Sequence, residues 1–316
     1  MSGSFNRIDY SVRPSKYAER RMLRDIFRRL TPFCSPDLYR YVGFGSVWFA
    51  DFTLFHRSLG VRDMISIESS TSAEERVKDN APFNIDILMG RSEKWLPKID
   101  WEKKQFLWLD YDDAIDANKV SDADVVSRKA SSGTVYAATF RADAAKELRK
   151  EETDTGIVDD FSQSFDEGLV PTEIFEDDLS GYPFAKLSRD IILAKIEDSL
   201  DVRNGTETDL MRFEPICAID YADGCLMTTL VGVFFSESDR HKFVACEFED
   251  LDFIESLGDR IKIELPLMTP LEVRKIEKQL PKDDAKELDI GTIPPKQVER
   301  LLKYYRHFPS YMVAEN

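Results

Sequence analysis

Three short stretches of the chain carry residue types suited to binding a ligand. Residues 43–46 read Gly-Phe-Gly-Ser, and glycines without side chains let a ligand lie directly against the backbone. Glu68 closes the apolar run VRDMISIE, and an acid in that position can accept hydrogen bonds from both hydroxyls of a ribose. Residues 110–113 read Asp-Tyr-Asp-Asp and follow the apolar run FLWL. Together the three stretches predict one binding site, provided that the fold brings them to the same edge.

The spacing of apolar runs predicts the elements that position these stretches. Strands are expected over residues 39–42, 61–68, 85–89, 106–109 and 133–140, and helices over residues 15–30, 47–59, 70–80 and 121–129. Regular alternation with short links is typical of the α/β class, with a doubly wound, mostly parallel sheet covered by helices on both faces. Ligands bind outside the carboxyl ends of such strands, and all three stretches fall there.

The alternation stops after Arg141, and the chain becomes polar and strongly acidic over residues 143–210. Helices are expected over residues 142–152 and 184–200. We interpret this region as a helical insertion or cap on the sheet, although a solvated surface segment fits the composition equally well.

Strand character returns over residues 213–235, where Asp223-Gly224 separates two apolar runs. This dipeptide predicts a terminal antiparallel β-hairpin. One further strand is expected over residues 243–248, and the tail from residue 271 onward has a helical pattern. The predicted division is an N-terminal helical segment (1–35), an α/β core (36–142 and 211–250), the acidic helical insertion (143–210) and a helical C-terminal extension (251–316).

Composition narrows the classes of function. The 316 residues carry a net charge of −16, which repels polyphosphate backbones and disfavours nucleic-acid binding. The basic stretch within residues 7–29 is interpreted as a solvated helix face. No apolar run is long enough to span a membrane, and the four cysteines lack metal-ligand spacing. These features predict a reduced, cytoplasmic protein.

The glycine loop, the acid at the end of the second strand and the late hairpin resemble the class I S-adenosylmethionine-dependent methyltransferase family. The resemblance covers residues 36–142 and 211–236, and it implies a Rossmann-like methyltransferase core with S-adenosylmethionine as cofactor. It also implies that Glu68 binds the ribose and that Asp110 lies beside the methyl group. The full set of cofactor-binding residues implied by the resemblance is Gly43, Gly45, Ser46, Glu68, Gly90, Arg91 and Asp110.

The departures from the family pattern narrow the reaction. The loop V-G-F-G-S lacks the third glycine that a dinucleotide oxidoreductase would have, since Phe49 or Ala50 stands there. No Asn-Pro-Pro-Tyr or Asp-Pro-Pro-Tyr motif follows the fourth strand, and no Pro-Cys pair stands at a nucleophile position, so DNA base methylation is disfavoured. The remaining interpretation is O-methyl transfer to a small molecule or a protein group. The alternative is a non-catalytic methyltransferase-like module that serves as an interaction partner in a multi-protein complex.

Asp110 and Asp112 are the predicted catalytic residues. With Asp113 they are suited either to remove a proton from a hydroxyl acceptor or to hold a divalent cation such as Mg²⁺ or Ca²⁺; the alternative is that they only solvate a loop. Arg13 and Lys16 are expected either to meet the cofactor carboxylate or an anionic substrate, or to be solvated at the surface. A protein partner or a homodimer is compatible with the sequence.

Overall fold

The computed structural model describes residues 13–143, 156–282 and 284–308. Most of the helix expected over residues 142–152 lies outside these ranges. The described strands are β1 (Arg40–Gly43), β2 (Asp63–Glu68), β3 (Asp86–Met89), β4 (Gln105–Asp110), β5 (Thr134–Arg141), β6 (Met211–Ala222), β7 (Leu226–Ser236) and β8 (Arg260–Lys262).

These strands form one sheet in the order β3-β2-β1-β4-β5-β7-β6-β8. Strands β1 to β5 pair in parallel, and β7 runs antiparallel to both β5 and β6. The strand order reverses direction at β1, where β2 lies on one side and β4 on the other. The predicted fold class is therefore confirmed: a doubly wound, mostly parallel sheet extended by the antiparallel β6–β7 hairpin, with the short β8 paired to the outer side of that hairpin.

Helices cover both faces of the sheet. The described helices are α1 (Pro14–Arg29), α2 (Ala50–Leu59), α3 (Glu74–Asp79), α4 (Ser92–Trp95), α5 (Ala117–Lys129), α6 (Ile157–Ser162), α7 (Gly181–Asn204), α8 (Arg240–Val244), α9 (Pro270–Glu277) and α10 (Pro295–Tyr304). Successive residues of β4 point to opposite faces, so Phe106 packs in the core under α1 and α2, while Leu107 packs in the core under α5 and α7. None of the described helices combines the length and apolar character of a membrane span.

Helix α7 belongs to the layer that covers the sheet. Arg203 of α7 donates hydrogen bonds to the carbonyl oxygens of Ser127 and Ala130 at the end of α5. Arg189 of α7 forms an ion pair of 2.8 Å with the buried Asp220 of β6. The segment interpreted as an acidic insertion thus contributes a packed helix, and its boundaries stay a prediction.

The strand predicted over residues 243–248 is wrong. Helix α8 and a 3₁₀ turn at Phe248–Asp250 occupy that region. Phe243 and Cys246 are buried while Val244 is exposed, and a spacing of three residues matches a helical turn, not the alternation of a strand. The strand that does pair with the outer side of β6 is the short β8.

Candidate functional site

A cavity of about 380 Å³ opens at the carboxyl ends of β1, β2, β3 and β4. Its wall includes seven of the predicted site residues, namely Gly45, Ser46, Glu68, Gly90, Arg91, Asp110 and Asp112. Gly43, the last residue of β1, is not part of that wall. The three stretches singled out in the sequence therefore meet at one cavity, as the predicted sheet requires.

The loop after β1 is held against the end of β2. The backbone N–H of Gly45 donates to Ser66 Oγ at 3.0 Å, and the N–H of Ser46 donates to Glu68 Oε1 at 2.8 Å. Ser66 Oγ also donates to Glu68 Oε1, at 2.7 Å. Ser46 and Phe49 both adopt left-handed backbone conformations, with φ of 49° and 44°. This turn directs the loop along the cavity before α2 begins.

The two glycines make room for the protein's own side chains. A Cβ atom on Gly45 would lie 2.4 Å from the ring of Phe49, and a Cβ atom on Gly43 would lie 2.5 Å from the hydroxyl of Tyr41. That hydroxyl donates a hydrogen bond to the buried carboxylate of Asp51. The reason for the glycines thus differs from the one predicted, since Phe49 and Tyr41 fill the space that the sequence suggested for a ligand.

Glu68 presents one carboxylate oxygen for a ligand. Only 8% of the residue is exposed, and its Oε1 already accepts hydrogen bonds from Ser46 and Ser66. Its Oε2 accepts none from the described residues. Burial raises the pKa of Glu68. Donors supplied by a ligand in the cavity, such as a pair of hydroxyls, would stabilise this desolvated carboxylate.

Asp122 of α5 is a second buried acid in the cavity wall, and sequence reasoning missed it. Its Oδ2 accepts hydrogen bonds from Ser92 Oγ at 2.5 Å and from Tyr111 OH at 2.6 Å. Its Oδ1 is buried without a hydrogen-bond partner among the described residues, and burial raises the pKa of Asp122 to about 6. One signal was available, because Asp122 lies one helical turn before Val126 on the inward face of the predicted helix.

Helix α1 brings a buried cation to the end of β4. Lys16 Nζ donates to Asp110 Oδ1 at 2.5 Å and to Tyr221 OH at 3.0 Å, and it lies 2.8 Å from Glu19 Oε2. It also lies 4.4 Å above the ring of Trp108. The expectation that Lys16 meets a cofactor carboxylate or an anionic substrate, or is solvated, is therefore wrong, because protein groups surround this ammonium. Arg13, the other cation predicted for that role, does not line the cavity.

The hairpin fixes the start of α1. Asp223, in the turn between β6 and β7, accepts hydrogen bonds from the backbone N–H groups of Ser15 and Lys16, at 3.3 Å and 2.9 Å. Further along the helix, Thr229 of β7 donates a hydrogen bond to the fully buried Glu19. Burial raises the pKa of Glu19. The N-terminal helix is thereby tied to the last two strands of the predicted core.

The aspartates of residues 110–113 do not build a metal site. Asp110, Asp112 and Asp113 all line the cavity, but Lys16 already engages Asp110. Across the part of the chain that the structure describes, no three His, Cys, Asp or Glu side chains converge as metal ligands. The described residues therefore do not fit the divalent cation considered from the sequence, and no step of the chemistry is assigned to one.

The chain matches the family model Methyltransf_35, described as "Putative O-methyltransferase", over residues 8–316. The protein belongs to this O-methyltransferase family. Membership confirms the predicted methyltransferase class, with O-methyl transfer as the activity, and it does not favour the non-catalytic alternative. No curated protein matches the sequence.

The chain is also similar to several solved structures. An O-methyltransferase from Bacillus cereus in complex with SAH is 14% identical over 73% of this chain and 86% of that chain, with a TM-score of 0.39. A structure described as a "putative O-methyltransferase" from Klebsiella pneumoniae is 11% identical over 68% and 79%, with a TM-score of 0.35. Spermidine synthase from Thermotoga maritima is 10% identical over 71% and 60%, with a TM-score of 0.39. These likenesses are too distant to assign any residue of this O-methyltransferase.

The cavity of this O-methyltransferase fits the cofactor chemically. S-adenosylmethionine combines an adenine amine, a ribose diol and an amino-acid carboxylate. The residues of the wall include Asp122, whose buried Oδ1 has no hydrogen-bond partner among the described residues, Glu68, whose second oxygen accepts no hydrogen bond from them, and Arg20 with its buried guanidinium. The matching part of the cofactor would supply the partner that each group lacks there.

Proposed function

We propose that this protein binds S-adenosylmethionine in the cavity at the ends of β1 to β4 and transfers its methyl group to a hydroxyl oxygen of a small molecule or a protein group. The observation that carries the proposal is the link between the loop and Glu68. Two hydrogen bonds hold Glu68 Oε1 against Ser46 and Ser66, at 2.8 Å and 2.7 Å. They leave Oε2 available to accept hydrogen bonds from the ribose hydroxyls, at the end of β2, the strand beside β1.

The strand order β3-β2-β1-β4 supports a direction for the cofactor in the cavity. Gly90 and Arg91 follow β3 and would lie beside the adenine, while Glu68 at the end of β2 would bind the ribose. The loop of Gly45 and Ser46 after β1 would follow the methionine part. Asp110 at the end of β4 would then lie beside the methyl group, where the acceptor must enter.

The bound cofactor supplies a methyl group on a sulfonium, which is already a good leaving group. The protein must therefore chiefly align the acceptor oxygen with the methyl carbon and the sulfur. A hydroxyl acceptor also benefits from a base. Lys16 holds Oδ1 of Asp110 at 2.5 Å, and Oδ2 accepts no hydrogen bond from the described residues. Asp110 Oδ2 is the proposed proton acceptor, and Asp112, in the same wall, is proposed to orient the hydroxyl.

A cytoplasmic location is part of the proposal. All four cysteines are free thiols, and Cys34 and Cys225 are only partly buried. Unpaired, accessible thiols are typical of proteins in a reducing compartment. Fractionation of cells that express the chain at its native level would test this.

The central experiment is isothermal titration of the whole chain with S-adenosylmethionine and with S-adenosylhomocysteine. Wild-type protein should bind both, and Glu68→Ala should weaken binding by about 1–3 kcal/mol because the ribose loses its acceptor. Glu75→Ala, which removes an exposed carboxylate on α3, is the matched control and should bind like wild type. Absence of wild-type binding would refute the proposal, and an unchanged affinity in Glu68→Ala would refute the role of Glu68.

A further inference from the structure

Arg20 of α1 is a buried cation in the cavity wall, and it has no hydrogen-bond or ion-pair partner among the described residues. Only 8% of the residue is exposed, and it lines the cavity. Its Nε is buried without a hydrogen-bond partner, and its guanidinium makes no ion pair or hydrogen bond with any described residue. A charge taken out of water in this way is costly unless a counterion completes it.

The protein's own acids near Arg20 are already in use. Asp51, at the start of α2, accepts a hydrogen bond from the hydroxyl of Tyr41. Burial raises the pKa of Asp51, and the positive charge of Arg20 acts against that shift. Asp110, also in this wall, is engaged by Lys16. The charge of Asp51 is favourable to that of Arg20, but neither acid makes the direct, two-pronged contact with it that a guanidinium favours.

We propose that Arg20 binds the carboxylate of the methionine part of S-adenosylmethionine, an inference that rests on the proposed function. A guanidinium presents parallel N–H donors that match the two oxygens of a carboxylate. Arg20 lies one helical turn after Lys16, whose Nζ contacts Asp110 at the end of β4. Its electrostatic neighbour Asp51 follows the loop after β1. Arg20 is thus on the β1–β4 side of the cavity, where the proposed direction of the cofactor places the methionine part.

The positions of three cations near the N-terminus explain why Arg20, and not Arg13 or Lys16, is proposed to bind the carboxylate. From the sequence, Arg13 and Lys16 were the expected partners of a carboxylate. Lys16 already has three partners in Asp110, Glu19 and Tyr221, and Arg13 is not in the cavity wall. Arg20, by contrast, lies in the cavity wall and has no partner among the described residues. A carboxylate on the acceptor is the other possible source of the same chemistry, and the experiment below distinguishes the two.

The test compares two ligands that differ in the carboxylate. S-adenosylhomocysteine carries it, whereas S-adenosyl-3-thiopropylamine keeps the adenosine, the sulfur and the amine but lacks it. Calorimetry is performed on the full chain as wild type, Arg20→Met and Arg28→Met, the last being an exposed arginine on the same helix. Arg20→Met should weaken the binding of S-adenosylhomocysteine by about 10- to 100-fold. The same substitution should change the affinity for S-adenosyl-3-thiopropylamine by no more than about threefold. Arg28→Met should leave the affinity for both ligands unchanged.

Three results would overturn the inference while leaving the proposed function intact. In the first, Arg20→Met weakens the binding of both ligands equally, which would make Arg20 a structural support of α1. In the second, it leaves the binding of S-adenosylhomocysteine unchanged, which would assign Arg20 to an anion of the acceptor or to no ligand. In the third, the wild type binds both ligands with the same affinity, which would show that the carboxylate contributes nothing to binding. A wild type that binds neither ligand would instead refute the proposed function as well. If Arg20→Met does not fold, Arg20→Lys carries the comparison, because it keeps the charge but loses the parallel donors, and it should show a smaller selective loss.

Discussion

The two sides of the cavity are assembled in different ways. On the strand-end side, the loop after β1 contacts the next strand through Ser46 and Glu68, which are 22 residues apart in the chain. On the α1 side, Lys16 contacts Asp110 across 94 residues and Tyr221 across 205 residues. The first side follows from the order of neighbouring βαβ units. The second exists only once the N-terminal helix has docked onto the hairpin.

The two sides also differ in charge. On the strand-end side, neutral N–H and O–H donors satisfy one carboxylate oxygen of Glu68. The α1 side buries a cation, Lys16, between two acids, Asp110 and Glu19. We infer that the strand-end side recognises the adenosine part of the cofactor, while the α1 side holds the proposed base and the methionine carboxylate. The α1 side should therefore be the more sensitive to loss of a charge.

The largest effect is expected from Lys16→Met. This substitution leaves the carboxylates of Asp110 and Glu19 without their cation, and removing one partner of a buried ion pair costs about 3–5 kcal/mol. Lys186→Met on α7 is the control, because Lys186 is 71% exposed in its pair with Asp190 and should contribute about 0–1 kcal/mol. Urea denaturation gives both free energies of unfolding. Equal, small losses would show that the α1 side is not the charge-sensitive one.

A double substitution sharpens this comparison. Glu19→Gln removes one of the two acids that Lys16 compensates, and burial raises the pKa of Glu19, so its charge is already disfavoured in the folded state. The free energy of unfolding should therefore fall less in Lys16→Met/Glu19→Gln than the two single losses predict together. Strict additivity would indicate that Lys16 and Glu19 are not energetically coupled.

A smaller effect, dependent on pH, is expected from Asp122 on the strand-end side. Burial raises its folded pKa from 3.8 to about 6, so this group favours folding most below pH 4, and that contribution is lost as the pH rises through 6. The contribution of Asp122 to the free energy of unfolding therefore falls by about 3 kcal/mol over this pH range. Asp122→Asn should remove this part of the pH dependence, measured as the difference in unfolding free energy from wild type between pH 4 and pH 7. The exposed Asp201→Asn on α7 should leave the slope unchanged, and an unchanged slope in Asp122→Asn would contradict the account.

The smallest effect concerns the glycine loop. Gly45→Ala places a Cβ atom 2.4 Å from the buried ring of Phe49, and overpacking of this kind destabilises a fold by about 1–3 kcal/mol. Gly156→Ala is the matched control, since no atom lies within 4 Å of its added Cβ, and it should be neutral or stabilising by about 0.5 kcal/mol. Thermal unfolding of both variants measures the difference. A harmless Gly45→Ala would mean that the loop glycine is kept for a ligand, as the sequence first suggested.

The sequence predicts the strand-end side well because its signals are local. Apolar runs bounded by turns located β1 to β5, and the strand order then placed Gly45, Glu68 and Asp110 at one edge. Residues 243–248 show the limit of this reasoning. Five apolar or small residues in six resemble a strand, but the packing of this segment on the sheet, where Phe243 lies 4.6 Å from Phe235 between ring centroids, buries Phe243 and Cys246 at helical spacing.

The α1 side could not be predicted because its partners are far apart in the chain. A helix with several arginines and lysines reads as solvated, and nothing local distinguishes Lys16 or Arg20 from the exposed Arg28. Their burial depends on Asp223 in the hairpin turn, which accepts hydrogen bonds from the first turn of α1. Asp122 was missed for a related reason, since its partners Ser92 and Tyr111 lie on two other elements.

Hydrogen exchange of the whole chain with and without S-adenosylhomocysteine tests the central claim most directly. That claim is that the strand ends and α1 form one cofactor cavity. The ligand should slow amide exchange in peptides that cover residues 16–21, 44–50, 66–70 and 90–93 together, and it should leave residues 270–304 unchanged. Slowed exchange confined to the C-terminal residues, or no change anywhere at a saturating ligand concentration, would contradict the account.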